Sequence, residues 1–339
     1  MRHLNLSLAT ALLLATALLV ATPRAQGAEV ARGDPAVEVA TLPRGAEGED
    51  TALLRQSGSI AKYVCTLAAV RLENAGLLSL DSPVSELLPS YRGASDPDLT
   101  LRRLLENRSG LEDGLSPALS QDRGLLTAAI PSAEAANRFS VARSPVPPGQ
   151  AFSYVNSNWV LVQAILEQAT GQNLAVVIDE WVLTPAGADG AYIFTGQLDG
   201  PGTARAEGSP TPVPDFVSCA GGLAARPADL LAISAFPFTS SLFDDADRAD
   251  LMRVSTPDEA YTLGGRFEWV RDRDGAVRRI SWQTGSNGPW YASAIYDPET
   301  GHGFAAMTAS SRDELNGLQD AWLAGQGLGR LDRDAGVDH

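Results

Sequence analysis

The sequence SGSIAKYVCTLAAVRL at residues 57–72 decides the architecture, because it joins a short polar turn to a long apolar helix. Apolar side chains recur along it at intervals of three and four, which predicts a helix that buries one face and ends near Gly76. The turn places Ser59 at the start of this helix, and Lys62 follows three residues later. Since residues i and i+3 share a helix face, the hydroxyl and the amine are expected to meet.

Segments of alternating polarity lie on both sides of this helix in the sequence. An edge strand is predicted at 36–40 and a short strand at 51–56. A closing helix is predicted to start at Ser311 as the N-cap, with Glu314 completing a capping box. The middle of the chain, about 75–260, is mostly helical in pattern. The sequence therefore predicts an α+β fold in which an antiparallel sheet joins both ends of the chain, is flanked by terminal helices, and carries an inserted, mostly helical lobe. The remaining predicted strands are 262–270, 278–284, 290–296 and 303–309.

The first 27 residues are typical of a secretory signal peptide. Arg2 and His3 precede a short apolar stretch, and Ala25 and Gly27 are small residues at the positions that a signal peptidase reads. An uncleaved membrane anchor is the alternative. The sequence predicts an exported protein, periplasmic or secreted, with a signal peptide at 1–27, one domain at 28–325, a tail at 326–339, and no membrane span after cleavage.

The charge and the scarce residue types exclude several classes of function. The formal net charge is −15, which makes nucleic acid and anionic lipid poor partners. Only three histidines are present, at 3, 302 and 339, so a Ser-His-Asp triad or a histidine metal site is not expected. Cys65 and Cys219 are the only cysteines, and the sequence leaves open whether they form a disulfide or are buried thiols.

The pair of Ser59 and Lys62 has the composition of a nucleophile and its base. A serine at a helix N-terminus has backbone N–H groups and the positive end of the helix dipole nearby, which suits a developing oxyanion. A lysine amine accepts a proton when its surroundings lower its pKa, whereas arginine does not give up its proton. Lys62 is the only lysine among 26 basic residues. The alternative is a structural lysine that follows a serine by coincidence.

A second candidate element lies at Tyr154 and Asn156, between a proline-rich loop and a predicted helix. A tyrosine beside a cationic lysine is expected to have a lowered pKa and to relay a proton. The asparagine amide is suited to orient the lysine and a substrate amide. The alternative is a helix entry in which Asn156 or Ser157 is the N-cap and the tyrosine is packing.

The third element is Gln283-Thr284-Gly285, followed by Ser286, at the end of a predicted strand. The threonine hydroxyl is suited to bind a ligand carboxylate or carbonyl, and the glycine lets a substrate approach the strand edge. The Ser286 N–H is a candidate second donor to an oxyanion. The alternative is an ordinary turn at a strand end.

These three elements, in this order, resemble the serine β-lactamase and penicillin-binding-protein superfamily, and most of all the hydrolases related to class C β-lactamases. The resemblance implies the β-lactamase/DD-peptidase-like fold and an acyl-enzyme on Ser59, assisted by Lys62 and Tyr154. It also implies that the mechanism uses neither a metal nor an organic cofactor. It implies orienting or substrate-binding roles for Asn156, Gln283, Thr284, Gly285 and Ser286. Connecting segments contribute to it, among them 78–84, 99–105, 109–111, 220–223 and 227–230.

One residue departs from the pattern of that superfamily. The third element normally begins with Lys or His, and the resemblance implies that a cation at that place helps to bind an anionic substrate and to tune the tyrosine. Gln283 stands there instead, with Arg278 and Arg279 as candidate replacement cations. The expected function is an exported serine hydrolase of an ester, amide or D-amino-acid peptide bond, similar to β-lactamases, D-Ala-D-Ala carboxypeptidases and esterases. Its substrate is expected to be a small molecule or peptidoglycan-like. The alternative is a weak or inactive relative that binds cell-wall fragments or a protein partner.

Overall fold

The computed structural model describes residues 37–42, 53–93, 95–199, 202–205 and 210–331. The predicted signal peptide at 1–27 lies outside these ranges and stays a prediction. The described part of the chain contains nine strands: β1 Val37–Leu42, β2 Arg55–Gln56, β3 Tyr192–Ile193, β4 Leu223–Ala225, β5 Arg266–Arg271, β6 Val277–Asn287, β7 Trp290–Tyr296, β8 Gly303–Thr308 and β9 Gly329–Arg330.

Six strands form one antiparallel sheet in the order β1-β8-β7-β6-β5-β9. β1 pairs with β8 along its whole length, from Val37 opposite Thr308 to Leu42 opposite Gly303. The sheet therefore joins an early strand to the late ones, as the sequence predicts. The four predicted strands after residue 261 are confirmed as β5 to β8. β5 begins at Arg266, four residues later than predicted, and β8 is buried along its whole length.

Most of the helices precede β5. The described residues form α1 Ile60–Asn74, α2 Val84–Leu87, α3 Leu101–Leu105, α4 Leu115–Gln121, α5 Ser132–Phe139, α6 Asn156–Thr170, α7 Leu174–Ile178, α8 Thr184–Ala186, α9 Ser218–Gly221, α10 Pro227–Thr239, α11 Asp245–Met252 and α12 Arg312–Gly325. Two 3₁₀ turns, Arg123–Thr127 and Asp215–Val217, and a π turn, Asp179–Leu183, complete them. The helical segment is thus inserted between β1 and the later strands, which confirms the predicted fold class. No helix within the described ranges has the length and apolar character needed to cross a bilayer.

α1 is the central helix of the molecule. It is buried on nearly all sides, because α6, α7 and α9 pack against it and β6 also contacts it. The sequence predicts one buried face, whereas a helix enclosed by neighbours must be apolar almost all round. Lys62 is the one charged residue among its buried positions and is 2% exposed.

A second, small sheet anchors the chain just before α1. β4 pairs with both β2 and β3, so the predicted strand at 51–56 is reduced to Arg55–Gln56 and lies outside the main sheet. A buried ion pair between Arg55 and Glu38 connects β2 to β1. The guanidinium of Arg55 also lies 5.6 Å from the ring centre of Trp290. These contacts fix the approach of the chain to the start of α1.

A disulfide between Cys65 and Cys219 connects α1 to α9 across 154 residues of sequence. The sequence left this pairing open. Both cysteines are fully buried, and their Cα atoms are 5.8 Å apart. Because Cys65 lies one turn after Lys62 and Cys219 precedes Ala220, the bond holds the α9 backbone close to the lysine.

After β8, the described chain forms α12 and then β9, a further strand of the main sheet. The Ser311 hydroxyl accepts a hydrogen bond from the Glu314 backbone N–H, at 3.1 Å, as predicted for the N-cap. The Glu314 carboxylate accepts instead from the Thr308 hydroxyl, at 2.8 Å, so only half of the predicted capping box forms. β9 then pairs with β5, so the segment predicted as a tail at 326–339 begins with a strand of the main sheet.

Candidate active site

Ser59 and Lys62 meet at the first turn of α1, as the sequence predicts. Ser59 immediately precedes the helix, and the Lys62 ammonium donates hydrogen bonds to the Ser59 hydroxyl at 3.2 Å and to the Ala220 carbonyl at 2.7 Å. No carboxylate of the described residues forms an ion pair with Lys62. The amine is thus aimed at the serine by one backbone carbonyl.

Two glycines bring the backbone of the serine turn against β6. Gly58 has φ +55°, and a Cβ built on it would lie 2.5 Å from the Ser286 backbone nitrogen. A Cβ built on Gly285 would lie 2.6 Å from the Ser59 backbone nitrogen. Such distances are impossible for a real Cβ, so glycine is required at both positions. The close approach places the backbone N–H groups of Ser59 and Ser286 at the same end of the cleft, as an oxyanion hole requires.

Tyr154 lies against the lysine on the other side of the serine. The Lys62 ammonium is 5.0 Å from the centre of its ring, and the residue is 41% exposed at the mouth of the cleft. Burial of the phenol raises the pKa of Tyr154, but the charge on Lys62, hydrogen bonds from Ser59 and Lys62, and the charge on Arg266 together lower it below the usual value. These neighbours therefore stabilise the phenolate of Tyr154 relative to that of a free tyrosine.

Tyr261 and Phe152 complete an aromatic group around Tyr154. The Tyr261 ring is 6.4 Å from the Tyr154 ring and edge-on to it, and the Phe152 ring is 6.5 Å away. Burial, and the charge that Tyr154 develops, raise the pKa of Tyr261, so this second phenol stays neutral. The pKa values of the two tyrosines are thus shifted in opposite directions, although their rings are neighbours.

Asn156 begins α6 and lines the cavity beside Lys62. The N-cap of α6 is Val155. Neither alternative for the cap, Asn156 or Ser157, is therefore found. Among the described residues the Asn156 amide has no hydrogen-bond partner, so it is available to a ligand. Its predicted orientation of the lysine stays a prediction.

The end of the third element, Gly285 and Ser286, lies at the site, whereas its first two residues, Gln283 and Thr284, do not line the cavity. Gln283 is 4% exposed, and its amide lies against Gly265 and donates a hydrogen bond to the Ser281 hydroxyl at 3.4 Å. The Thr284 hydroxyl donates to the Ala292 carbonyl of β7 at 3.3 Å. Neither of these two residues lines the cavity. Their predicted contacts with substrate stay predictions, whereas Ser286 lies at the cavity wall.

The cavity beside Ser59 has a volume of about 250 Å³ and one strongly apolar wall. A larger open cavity of about 640 Å³ lies elsewhere, where its lining arginines face carboxylates. Among the described residues, no group of three or more His, Cys, Asp or Glu side chains is placed to hold a metal ion. The smaller cavity is lined by Gly58, Ser59, Lys62, Leu119, Leu126, Asn156, Thr211, Pro212, Val213, Pro214, Val217, Ala220, Gly221, Ser286 and Asn287.

Two contributors to the site were missed by sequence reasoning. The Ala220 carbonyl is a backbone atom, and only the Ala-Gly-Gly pattern at 220–222 marks it in the sequence. Arg266 approaches Tyr154, with its guanidinium 5.9 Å from the ring centre, and no local pattern marks it. The cations suggested from the sequence lie elsewhere. Arg278 pairs with Asp297 at 2.7 Å, and Arg279 donates to the Met252 carbonyl at 2.7 Å.

Comparisons with known proteins found a matching family model, relatives in sequence and a protein of the same fold. The family model described as Beta-lactamase matches residues 44–328. Esterase EstB from Burkholderia gladioli is 30% identical over 176 residues, which cover 49% of this chain and 44% of that protein. A D-aminopeptidase from Cereibacter sphaeroides is 37% identical over 117 residues, which cover 32% of this chain and 20% of the relative. The aligned regions thus span less than half of each relative.

A solved structure shows the same fold. The D-stereospecific amidohydrolase from a Streptomyces species matches with a TM-score of 0.66 at 20% identity, over 81% of this chain and 88% of that one. At that identity the likeness concerns the fold alone.

Proposed function

Because the chain belongs to the Beta-lactamase family, we propose that it is a serine hydrolase that forms an acyl-enzyme on Ser59. The observation that carries this proposal is the arrangement of Lys62, which donates to both the Ser59 hydroxyl and the Ala220 carbonyl at the wall of a cavity. A nucleophile, a titratable amine and a phenol of lowered pKa meet there. Perturbed groups in a cleft are typical of catalytic sites.

The proposed reaction has two halves. The Ser59 oxygen bonds to a substrate carbonyl carbon as its proton passes to the Lys62–Tyr154 pair, and the N–H groups of Ser59 and Ser286 bind the resulting oxyanion. The bond to the alcohol or amine then breaks, and that leaving group takes the proton. Water attacks the acyl-enzyme in the same way and releases the acid. No step requires a metal or an organic cofactor.

The cavity wall favours a substrate with a neutral, apolar acyl group. Leu119, Leu126, Val213 and Val217 line it, and no acidic or basic side chain other than Lys62 does so among the described residues. An apolar wall stabilises an apolar acyl group by removing its surface from water. The buried Gln283 leaves the cation position of the third element without a charge. We therefore place neutral esters and amides ahead of anionic β-lactams.

A D-amino-acid peptide with a free carboxylate is the second candidate substrate. Arg312 donates a hydrogen bond to the Ser286 hydroxyl at 3.3 Å and is exposed beside the cavity. A guanidinium in that place is suited to bind a terminal carboxylate. The name of the D-aminopeptidase relative is consistent with this alternative. Comparing p-nitrophenyl esters with D-Ala-D-Ala peptides distinguishes the two candidates.

Labelling of Ser59 tests the proposed function directly. The protein is incubated with a fluorophosphonate and, separately, with a labelled penicillin, and any adduct is located by mass spectrometry. We expect the fluorophosphonate adduct on Ser59 and none on the Ser59→Ala variant. The absence of an adduct on wild-type protein, or equal labelling of the variant, would sink the proposal and favour a non-catalytic relative that binds cell-wall fragments or a protein partner.

We also propose that the protein is exported, to the periplasm or the medium, after removal of residues 1–27. The pairing of Cys65 and Cys219 supports this location, since disulfides persist in oxidising compartments. The intact mass of the protein recovered from a bacterial host that expresses the full chain tests the proposal. A mass that begins at Ala28 is expected, whereas an unprocessed cytoplasmic protein would contradict it.

A further inference from the structure

The cleft has a cation that does not come from any of the three sequence elements. Gln283 supplies no charge, Arg278 is held by Asp297, and Arg279 donates to the Met252 carbonyl and lies over the rings of Phe267 and Trp269. Arg266, the first residue of β5, is the remaining basic residue near Tyr154. Its position follows from the strand register, which pairs it with Trp282, next to Gln283.

Arg266 is held by aromatic rings rather than by a carboxylate. Its guanidinium lies 5.3 Å from the ring centre of Tyr261 and 5.9 Å from those of Tyr154 and Trp282. It donates one hydrogen bond to the Glu259 backbone carbonyl, at 2.8 Å. No acidic side chain of the described residues forms an ion pair with it. A guanidinium stacks well on aromatic faces and stays charged at any working pH, so its full charge acts on the neighbouring phenol.

Four groups determine the ionisation of Tyr154. Lys62 approaches from α1 and Arg266 from β5, Tyr261 lies against the ring from the preceding loop, and the Ser59 hydroxyl lies in front. Tyr261 stays neutral, so among the described residues the charges that act on Tyr154 are those of the two cations. Both lower the pKa of Tyr154, against the effect of its burial.

Building on the proposed function, we propose that Arg266 is a positioning residue that stabilises the phenolate of Tyr154 and so takes the electrostatic role left empty by Gln283. The residue acts through Tyr154 and does not contact the substrate. Its charge makes the Lys62–Tyr154 pair a better acceptor for the Ser59 proton at neutral pH. Without it, Lys62 is the one cation that the described part of the chain places beside the phenol.

The test is the pH dependence of fluorophosphonate labelling for wild type, Arg266→Gln, Arg266→Lys and Arg279→Gln. The labelling rate is expected to rise with pH as the pair loses its proton. Loss of a charge at this distance is expected to move the midpoint of that rise upward by about one pH unit in Arg266→Gln. The rate at neutral pH is then expected to fall about tenfold. Arg266→Lys keeps a positive charge and should recover most of the shift.

Arg279→Gln is the matched control, because Arg279 also stacks on two rings of the sheet and also makes a bond to a backbone carbonyl. It is expected to leave the midpoint unchanged. The proposal is overturned if the Arg266→Gln midpoint coincides with that of wild type, or if Arg279→Gln moves it equally. If Arg266→Gln does not fold, Arg266→Lys provides the test. Its tyrosinate absorbance is measured against that of the same variant with Tyr154→Phe, and the difference should titrate near the wild-type midpoint. A large upward shift of that midpoint refutes the role of Arg266. Failure of wild-type labelling at Ser59 would instead refute the proposed function.

Discussion

The two sides of the candidate active site are built in different ways. On the side of Gly58 and Gly285, backbone lies directly against backbone, with no space for a single Cβ. On the side of Tyr154, aromatic and basic side chains surround a residue that is 41% exposed. The backbone contacts on the first side determine the positions of Ser59 and of the N–H groups of Ser59 and Ser286. The second fixes which groups are charged.

The difference teaches how each side responds to change. A backbone contact without free space is all-or-none, because any added atom must displace the strand or the helix start. A set of charges and rings responds gradually, since each neighbour contributes only part of the electrostatic effect. Substitutions on the first side should therefore abolish acylation, and those on the second should shift its pH dependence.

The largest effect is expected at Lys62, where the two sides meet. Lys62→Arg keeps the positive charge but removes the titratable amine, and the larger guanidinium does not fit the contacts with Ser59 and Ala220. We expect a loss of at least about a thousandfold in the labelling rate, since the base and its orientation are both removed. Stopped-flow or gel-based labelling measures it. A Lys62→Arg protein that labels at a rate near wild type would contradict the assignment.

The second effect tests the backbone side of the comparison. In Gly285→Ala the new methyl group would meet the Ser59 backbone nitrogen at 2.6 Å, so the oxyanion donors must move apart. We expect labelling to fall by about a hundred- to a thousandfold, the size of the effect of losing one oxyanion donor.

Gly317→Ala in α12 is the control for this substitution, because nothing lies within 4 Å of a Cβ there. This variant should label as wild type does and be slightly more stable, since alanine favours a helix more than glycine does. Equal labelling of Gly285→Ala and Gly317→Ala would show that the close contact is not needed for acylation.

The smallest kinetic effect is expected at the disulfide. Replacing Cys65 and Cys219 together by alanine removes the covalent connection that holds α9, and with it the Ala220 carbonyl, near Lys62. The free energy of unfolding should fall by about 2–5 kcal/mol. Urea unfolding of the double variant, compared with wild type in the presence and absence of reductant, measures the change. The labelling rate should fall only a few-fold, because the contact between Lys62 and Ser59 lies within one helix turn. A complete loss of labelling by a folded variant would show that the disulfide is needed to position Lys62.

The parts of the fold and site that the sequence predicts are those governed by local rules. α1, α6 and strands β5 to β8 follow from apolar periodicity and turn residues. Ser59 and Lys62 meet because three residues make almost one helical turn. This contact is predicted from the local sequence alone.

The parts that the sequence does not predict depend on how distant segments pack. The disulfide forms because α1 and α9 are brought together across 154 residues, and two cysteines alone do not determine that. Arg266 reaches Tyr154 through the pairing of β5 with β6 and the packing of Tyr261, which no local pattern encodes. Gln283 is buried because strand alternation turns it to the same face as Gly285, toward α1, where Gly265 and Tyr63 cover it.

Gly58 and Ser286 are in contact but far apart in the sequence, so a ribosome synthesises Ser286 long after Gly58. A growing chain that ends before β6 contains Ser59, Lys62 and Tyr154 but lacks Ser286, the proposed second oxyanion donor, and the strand against which the serine turn packs. Contacts so distant in sequence carry a large entropic cost of loop closure and tend to form late in folding. The proposed hydrolytic activity therefore belongs only to the finished fold, and labelling of Ser59 also reports whether folding is complete.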